Sequence, residues 1–268
     1  MTLNTRMLVL VDPSQKKQQA LRRARFNAER RGEKPHLTVF MAVDREVHKQ
    51  MKTPPVLSRN SKWVDDTLLP LKEVGLEYDL CISWDKKWAD AVLAEIKRSK
   101  PDSVLIPVYE DEAGNRVLTD ETWKLLRYSN VNISLIHPRK DNTEDRKIIL
   151  AAIKTQDPAF DERTKKAIAN AKALAKIYDS EIHYVNAYQD QAKFPDRTKI
   201  MKMTGVPNSN VHVVAGQISD VLPAVSRKVK ADIVMIAPMR KEGVAAALRG
   251  STISRIIRNI KGDVMAIV

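Results

Sequence analysis

Asp232-Ile-Val-Met-Ile-Ala237 is a short apolar run that opens on an aspartate and stops at Ala237. Four consecutive apolar residues bounded by turn signals suit a strand buried on both faces of a parallel sheet. The same pattern stands 130 residues earlier as Asp102-Ser-Val-Leu-Ile-Pro107. Gly75 and Gly205, and Asp90 and Asp220, are offset by the same interval, and similar helical stripes precede both strands. The first strands, Met7–Val11 and Lys147–Ile153, align at an offset of about 142, because the second copy is shorter after its second strand. The chain reads as a tandem duplication of one α/β unit.

Working outward, Met7–Val11 ends at Asp12-Pro13, a turn signal at the carboxyl end of a strand. A basic helix is expected over Gln15–Arg31, a strand over Leu37–Val43, and a helix over Lys62–Val74 that Pro70 would kink or restart. Strands Tyr78–Ser83, Ser103–Val108 and Val131–Ile136 alternate with helices around Trp88–Ile96 and Thr119–Tyr128. In the second copy strands Glu181–Val185, Val211–Val214, Ile233–Ile236 and Asp263–Val268 alternate with helices striped by Ala167/Ile168/Ala171, Val221/Leu222/Val225 and Ile253/Ile256/Ile257/Ile260. Such alternation predicts parallel sheets with helices on both faces. The polar stretch His137–Asp145 is the expected linker, giving domains 1–141 and 142–268.

Composition narrows the function. A hydrophobic content of 43% supplies a core. The one cysteine, Cys81, excludes a disulfide framework and reads as a buried small hydrophobe. No apolar run approaches the roughly 18–20 residues of a membrane span, and the start carries no signal-peptide pattern; the cytoplasm is the expected location. The net charge of +13 is spread evenly, with 25 basic against 20 acidic residues through Asp141 and 21 against 13 beyond. No nucleic-acid-binding signature accompanies it, so no specific nucleic-acid partner is expected. His36, His48, His137, His183 and His212 lack metal-ligand spacing, and no metal site is expected. Trp84, Trp88 and Trp123 read as packing residues.

The last thirty-two residues carry the main functional signal. After Ala237 comes a long loop, Pro-Met-Arg240-Lys-Glu-Gly243 through Arg249, then Gly250-Ser251-Thr252 at the start of an isoleucine-striped helix. A glycine and hydroxyl residues at a helix start favour an anion: the backbone approaches closely and the free N–H groups face it. Arg240, Lys241 and Arg249 would add charge. The structural alternative is that Gly250 is a turn and Ser251 an N-cap.

Met7–Pro13, Ala20-Leu-Arg-Arg-Ala24, Trp123-Lys-Leu-Leu-Arg127 and Ala245–Thr252, in this order, resemble the universal stress protein family, in its tandem form. The resemblance implies two Rossmann-like domains of the adenine nucleotide alpha hydrolase type, each a five-stranded parallel sheet flanked by helices, paired through their fifth strands. It also implies a non-catalytic stress-response protein whose ATP-binding members carry Gly, two residues, Gly, nine residues, Gly and Ser or Thr. Counted back from Gly250, the earlier glycines fall on Ala237 and Arg240, so the second-domain site is degenerate. The family's first-strand aspartate, a ribose contact by resemblance, falls on Lys154 there and is kept as Asp12 in the first domain. The ligand-contact candidates are therefore Gly250, Ser251, Thr252, Arg240, Ala237, Lys154 and Asp12, for ATP or another phosphate-bearing ligand. No catalytic residue is assigned. A slow nucleotide hydrolase and nonspecific nucleic-acid binding through the basic surface are the alternatives, and a homodimer is an open partner state.

Overall fold

The structure, a computed structural model, describes residues 6–13, 15, 17–31, 34–42, 61–85, 87–110, 116–137, 145–237 and 252–268. The chain divides into two compact units: Met1–Tyr109 with Leu118–Glu144, and Glu110–Val117 with Asp145–Val268. The expected linker lies almost wholly outside the described residues.

In the first unit, β1 (Arg6–Val11), β2 (His36–Ala42), β3 (Tyr78–Ser83), β4 (Ser103–Pro107) and β5 (Asn132–Ile136) form a sheet ordered 5-4-1-2-3. Every neighbouring pair is parallel. The helices are α1 (Gln19–Glu29), α2 (Ser61–Glu73), α3 (Trp88–Ser99) and α4 (Asp120–Tyr128). Met7, Val9, Val11, Leu37, Val39 and Met41 alternate toward one face and pack with Leu21, Ala24, Leu68 and Leu71 of α1 and α2. Pro70 does not divide α2, which runs through it with Leu68 and Leu71 buried on either side.

The second unit repeats the plan. Its strands are β6 (Ile148–Ala152), β7 (Glu181–Tyr188), β8 (Val211–Ala215), β9 (Ile233–Ile236) and β10 (Asp263–Ala266). They lie all parallel in the order β8-β7-β6-β9-β10. Helices α5 (Asp161–Tyr178), α6 (Arg197–Thr204), α7 (Ile218–Val229) and α8 (Thr252–Asn259) flank the sheet.

The paired aspartates have matching structural roles. Asp102 Oδ2 accepts from Arg6 N at 3.1 Å, while Asp232 Oδ2 accepts from Lys147 N and Ile148 N at 2.8 and 3.1 Å. Each carboxylate ties the start of its unit's first strand to the fourth. Asp90 and Asp220 each bridge to a cation on the following helix, Lys124 at 2.6 Å and Arg255 at 2.7 Å. Lys100 and Lys230 both close their helices in the left-handed region, at φ 47° and 54°.

Some expectations on single residues shift. Trp123 is buried, whereas Trp88 is half-buried and Trp84 exposed. Cys81 is half-buried rather than enclosed, because β3 is an edge strand, and its Sγ accepts from Arg98 Nη2 at 3.6 Å.

Candidate functional site

In both sheets the chain crosses from strand one to strand two on one side and to strand four on the other. The carboxyl ends of the first and fourth strands therefore mark the point where the order reverses, the usual ligand position in open α/β sheets. In the second unit these are the ends of β6 and β9, which run side by side with Met235 opposite Ala151.

Lys154 follows β6 and half-buried Ala237 follows β9, so the fold brings both to this edge. Thr252 is the exposed first residue of α8. Arg240, Gly250 and Ser251 lie outside the described residues. Asp12 occupies the matching strand end of the first unit, where Gln18 pins its backbone: Nε2 donates to Asp12 O at 2.8 Å and Oε1 accepts from Asp12 N at 3.3 Å.

Lys154 is engaged by its own turn. Its Nζ stands 3.3 Å from Asp157 Oδ2 and 4.2 Å above the Phe160 ring. Asp157 is itself held below the usual carboxylate range, first by the Ala159 N–H and then by Lys154. The Thr164 hydroxyl of α5 accepts from Lys154 N and donates to Lys154 O, fixing this turn against the helix.

Beside it lies a polar group that sequence reading missed. Asn186 Nδ2 donates to Thr155 Oγ1 at 2.9 Å, and Gln156 Nε2 donates to Ala187 O at 3.1 Å. Their oxygens, Asn186 Oδ1 and Gln156 Oε1, are buried without a hydrogen-bond partner among the described residues, as is Tyr184 Oη. Burial also raises the Tyr184 phenol, keeping it protonated. Sheet register pairs Ala151 with Tyr184 and Val9 with Val39, so Tyr184 and Asn186 occupy the positions of Val39 and Met41 in the first unit. All four are essentially inaccessible. One unit fills this layer with hydrocarbon; the other fills it with a phenol and an amide.

On the opposite face of β7 and β8, register brings His183 and His212 together, with Nδ1 and Nε2 3.0 Å apart. Glu181 Oε1 lies 3.4 Å from His183 Nε2. A proton on that Nε2 leaves Nδ1 to accept from His212. Burial lowers both histidines, His212 to about 4, where His183, Lys228 and Arg197 also disfavour charge. The sign follows: the fold keeps these rings neutral while the unfolded chain takes protons near the ordinary value of 6.5. Their contribution to stability is complete above about 6.5 and falls as the pH drops toward about 4. Denaturant melts between these limits should show the loss, and His212→Gln should flatten it. An equally steep His212→Gln profile would place the acid sensitivity elsewhere.

Comparison with known proteins adds the family context. No protein-family model matches the chain. It is 20% identical to "Universal stress protein E" of Escherichia coli K12, over 100% of this chain and 95% of that protein. It is 22% identical to the "Universal stress protein E homolog" of Haemophilus influenzae, over 97% of this chain and 96% of the homolog. A Pseudomonas aeruginosa UCBPP-PA14 structure described as a universal stress protein matches with a TM-score of 0.81 at 19% identity, covering 99% and 93% of the two chains. The chain has the tandem universal stress protein fold. A universal stress protein from Archaeoglobus fulgidus matches at TM-score 0.71 and 13% identity, over 98% and 96%. The universal stress protein fold thus accounts for both units.

Proposed function

We propose that the chain is a tandem universal stress protein that acts in a stress response as a binding module, not as an enzyme. Its ligand site lies at the carboxyl ends of β6, β7 and β9 in the second unit. A phosphate-bearing small ligand, ATP or a relative, is received there by Gly250, Ser251 and Thr252 with Arg240, against Ala237. The unpartnered buried oxygens of Asn186 and Gln156 carry this reading. Each such group costs about 1–3 kcal/mol when left unmade. A core that tolerates them, where its sister unit holds Val39 and Met41, is arranged to meet hydrogen-bond donors. Lys154, paired with Asp157, shapes the turn beside the site and adds a cation at its rim. Asp12 keeps a ribose-contact residue in the first unit, but its loop from Tyr109 to Thr119 carries three acids and one glycine. Such a loop repels a polyphosphate, so the second unit is the binding half.

Asn186→Met, which installs the first unit's residue, should leave thermal stability unchanged or raised while weakening ligand binding at least about tenfold, the loss of roughly 1.4 kcal/mol. Native mass spectrometry of freshly purified protein, followed by calorimetric titration with ATP and with a nucleotide sugar, measures this. The reading fails if the wild type carries no adduct and binds neither compound. It also fails if Asn186→Met and Ser251→Ala bind as the wild type does.

A further inference from the structure

In each unit side chains tie the third strand to the second, and the two ties answer a proton in opposite ways. The register that matches Tyr184 to Val39 also matches Glu181, His183, Asn210 and His212 to His36, Thr38, Asp79 and Cys81 of the first unit. In the first unit His36 Nε2 stands 2.9 Å from Asp79 Oδ2, and its Nδ1 is 3.9 Å from Glu77 Oε2. A proton on that ring meets carboxylates, so charging His36 strengthens the tie between β2 and β3. In the second unit the same places hold a carboxylate and an amide, with Glu181 Oε1 accepting from Asn210 Nδ2 at 2.8 Å. The tie is continued by two imidazoles, His183 on β7 and His212 on β8, where the first unit has a threonine and a cysteine.

Two imidazole nitrogens 3.0 Å apart share a single hydrogen, one donating and the other accepting. When both rings are charged, both of these nitrogens carry hydrogens, neither accepts, and two cations are left in contact. The surroundings add to the repulsion. Lys228 of α7 and Arg197 of α6 bring further positive charge to His212. Glu181 faces the pair from β7, 3.4 Å from His183 Nε2, but its carboxylate is exposed and shared with Asn210. β8 depends on this contact more than a central strand would. Among the described residues it has a strand partner on one side only, and just beyond its end Gly216 N donates to Tyr188 O at 2.8 Å. We propose that His183 and His212 form an acid-operated latch: charging both rings frees β8 from β7, while the rest of the second unit and the β2–β3 pair of the first stay folded.

Hydrogen exchange of the full chain at about pH 7 and about pH 4.5, corrected for the intrinsic rates, tests the latch. Protection of residues 211–216 should fall at least about tenfold in the acid, because the opened strand takes protons that the closed one refuses. Strands β6 and β9 of the same unit, and β3 of the first, should keep theirs. His212→Gln, whose amide can donate to His183 Nδ1 but cannot take up a proton, should hold β8 closed at both pH values. His183→Gln tests the same latch from the other strand and should also shrink the acid response; circular dichroism at neutral pH checks that both variants fold. A loss of protection in β8 that is unchanged in both variants overturns the proposal by placing the trigger elsewhere. A loss shared equally by β6 and β9 overturns it by showing that the unit opens as a whole. Full protection of residues 211–216 at the lower pH overturns it outright.

Discussion

Arg146→Met should lower the melting temperature of the second unit by roughly 10 °C, the equivalent of about 3–5 kcal/mol lost from a buried ion pair. Arg146 Nε stands 3.0 Å from Asp263 Oδ2, and both side chains are almost fully enclosed. Arg146 is also held at its backbone, where its carbonyl accepts from the Ser180 hydroxyl. The pair therefore joins the entry of β6, the end of α5 and the start of β10. Methionine keeps the aliphatic reach but removes the charge, leaving the Asp263 carboxylate in a low-dielectric site without the guanidinium. Replacing both residues with apolar ones should recover much of the loss, since the desolvation penalty disappears with the charges. The two units need not unfold together, so calorimetry that resolves separate transitions is the suitable measurement. A shift confined to the first unit's transition with the second unit's unchanged, or no shift at all, would refute this role.

What the sequence revealed and what it hid differ in physical kind. The parallel strands, their alternation with helices and the duplication were legible because burial on both faces demands long apolar runs, and such runs are local. Asp102 and Asp232 could be matched by spacing alone, although their work, holding the first strand's N–H groups, depends on a sheet partner about ninety residues away. The polar layer was not legible. Sequence pattern ends the strand that begins at Glu181 on Val185, which leaves Asn186 outside it; the strand in fact continues to Tyr188. Setting β2 against β7 residue by residue exposes the layer, because Val39 and Met41 then face Tyr184 and Asn186. Lys154 reads from sequence as a cation at a ligand edge, but its ion pair with Asp157 arises from a turn whose geometry no spacing encodes. His183 and His212 lie twenty-nine residues apart in sequence, and only the parallel register of β7 and β8 makes them neighbours.

Gly262→Ala should cost about 3 kcal/mol, toward the upper end for overpacking, through a single methyl group. A Cβ built at this position meets the Asp232 carbonyl oxygen at 2.4 Å and the Ala231 carbonyl oxygen at 2.8 Å. These are backbone atoms, so no side-chain rotation can yield. Backbone conformation is not the obstacle, because Gly262 lies outside the left-handed region; close approach alone demands the glycine. Relief requires the turn before β10 to move away from the start of β9. That movement strains the Asp263 N–H bond to Asp232 O, 2.9 Å long, which opens the β9–β10 ladder. It also displaces the Asp263 carboxylate from Arg146, so the two perturbations share one structural element. Gly262→Ala and Arg146→Met should therefore be less than additive when combined, with a coupling of roughly 1 kcal/mol or more in a double-mutant cycle. Additive losses would mean that the turn can shift without moving Asp263, and that the glycine and the ion pair support β10 independently. Gly205→Ala makes the control. That glycine, at φ +77°, has nothing within 4 Å of an added methyl group, so its substitution should cost only the left-handed backbone penalty of about 1 kcal/mol and add independently to Arg146→Met.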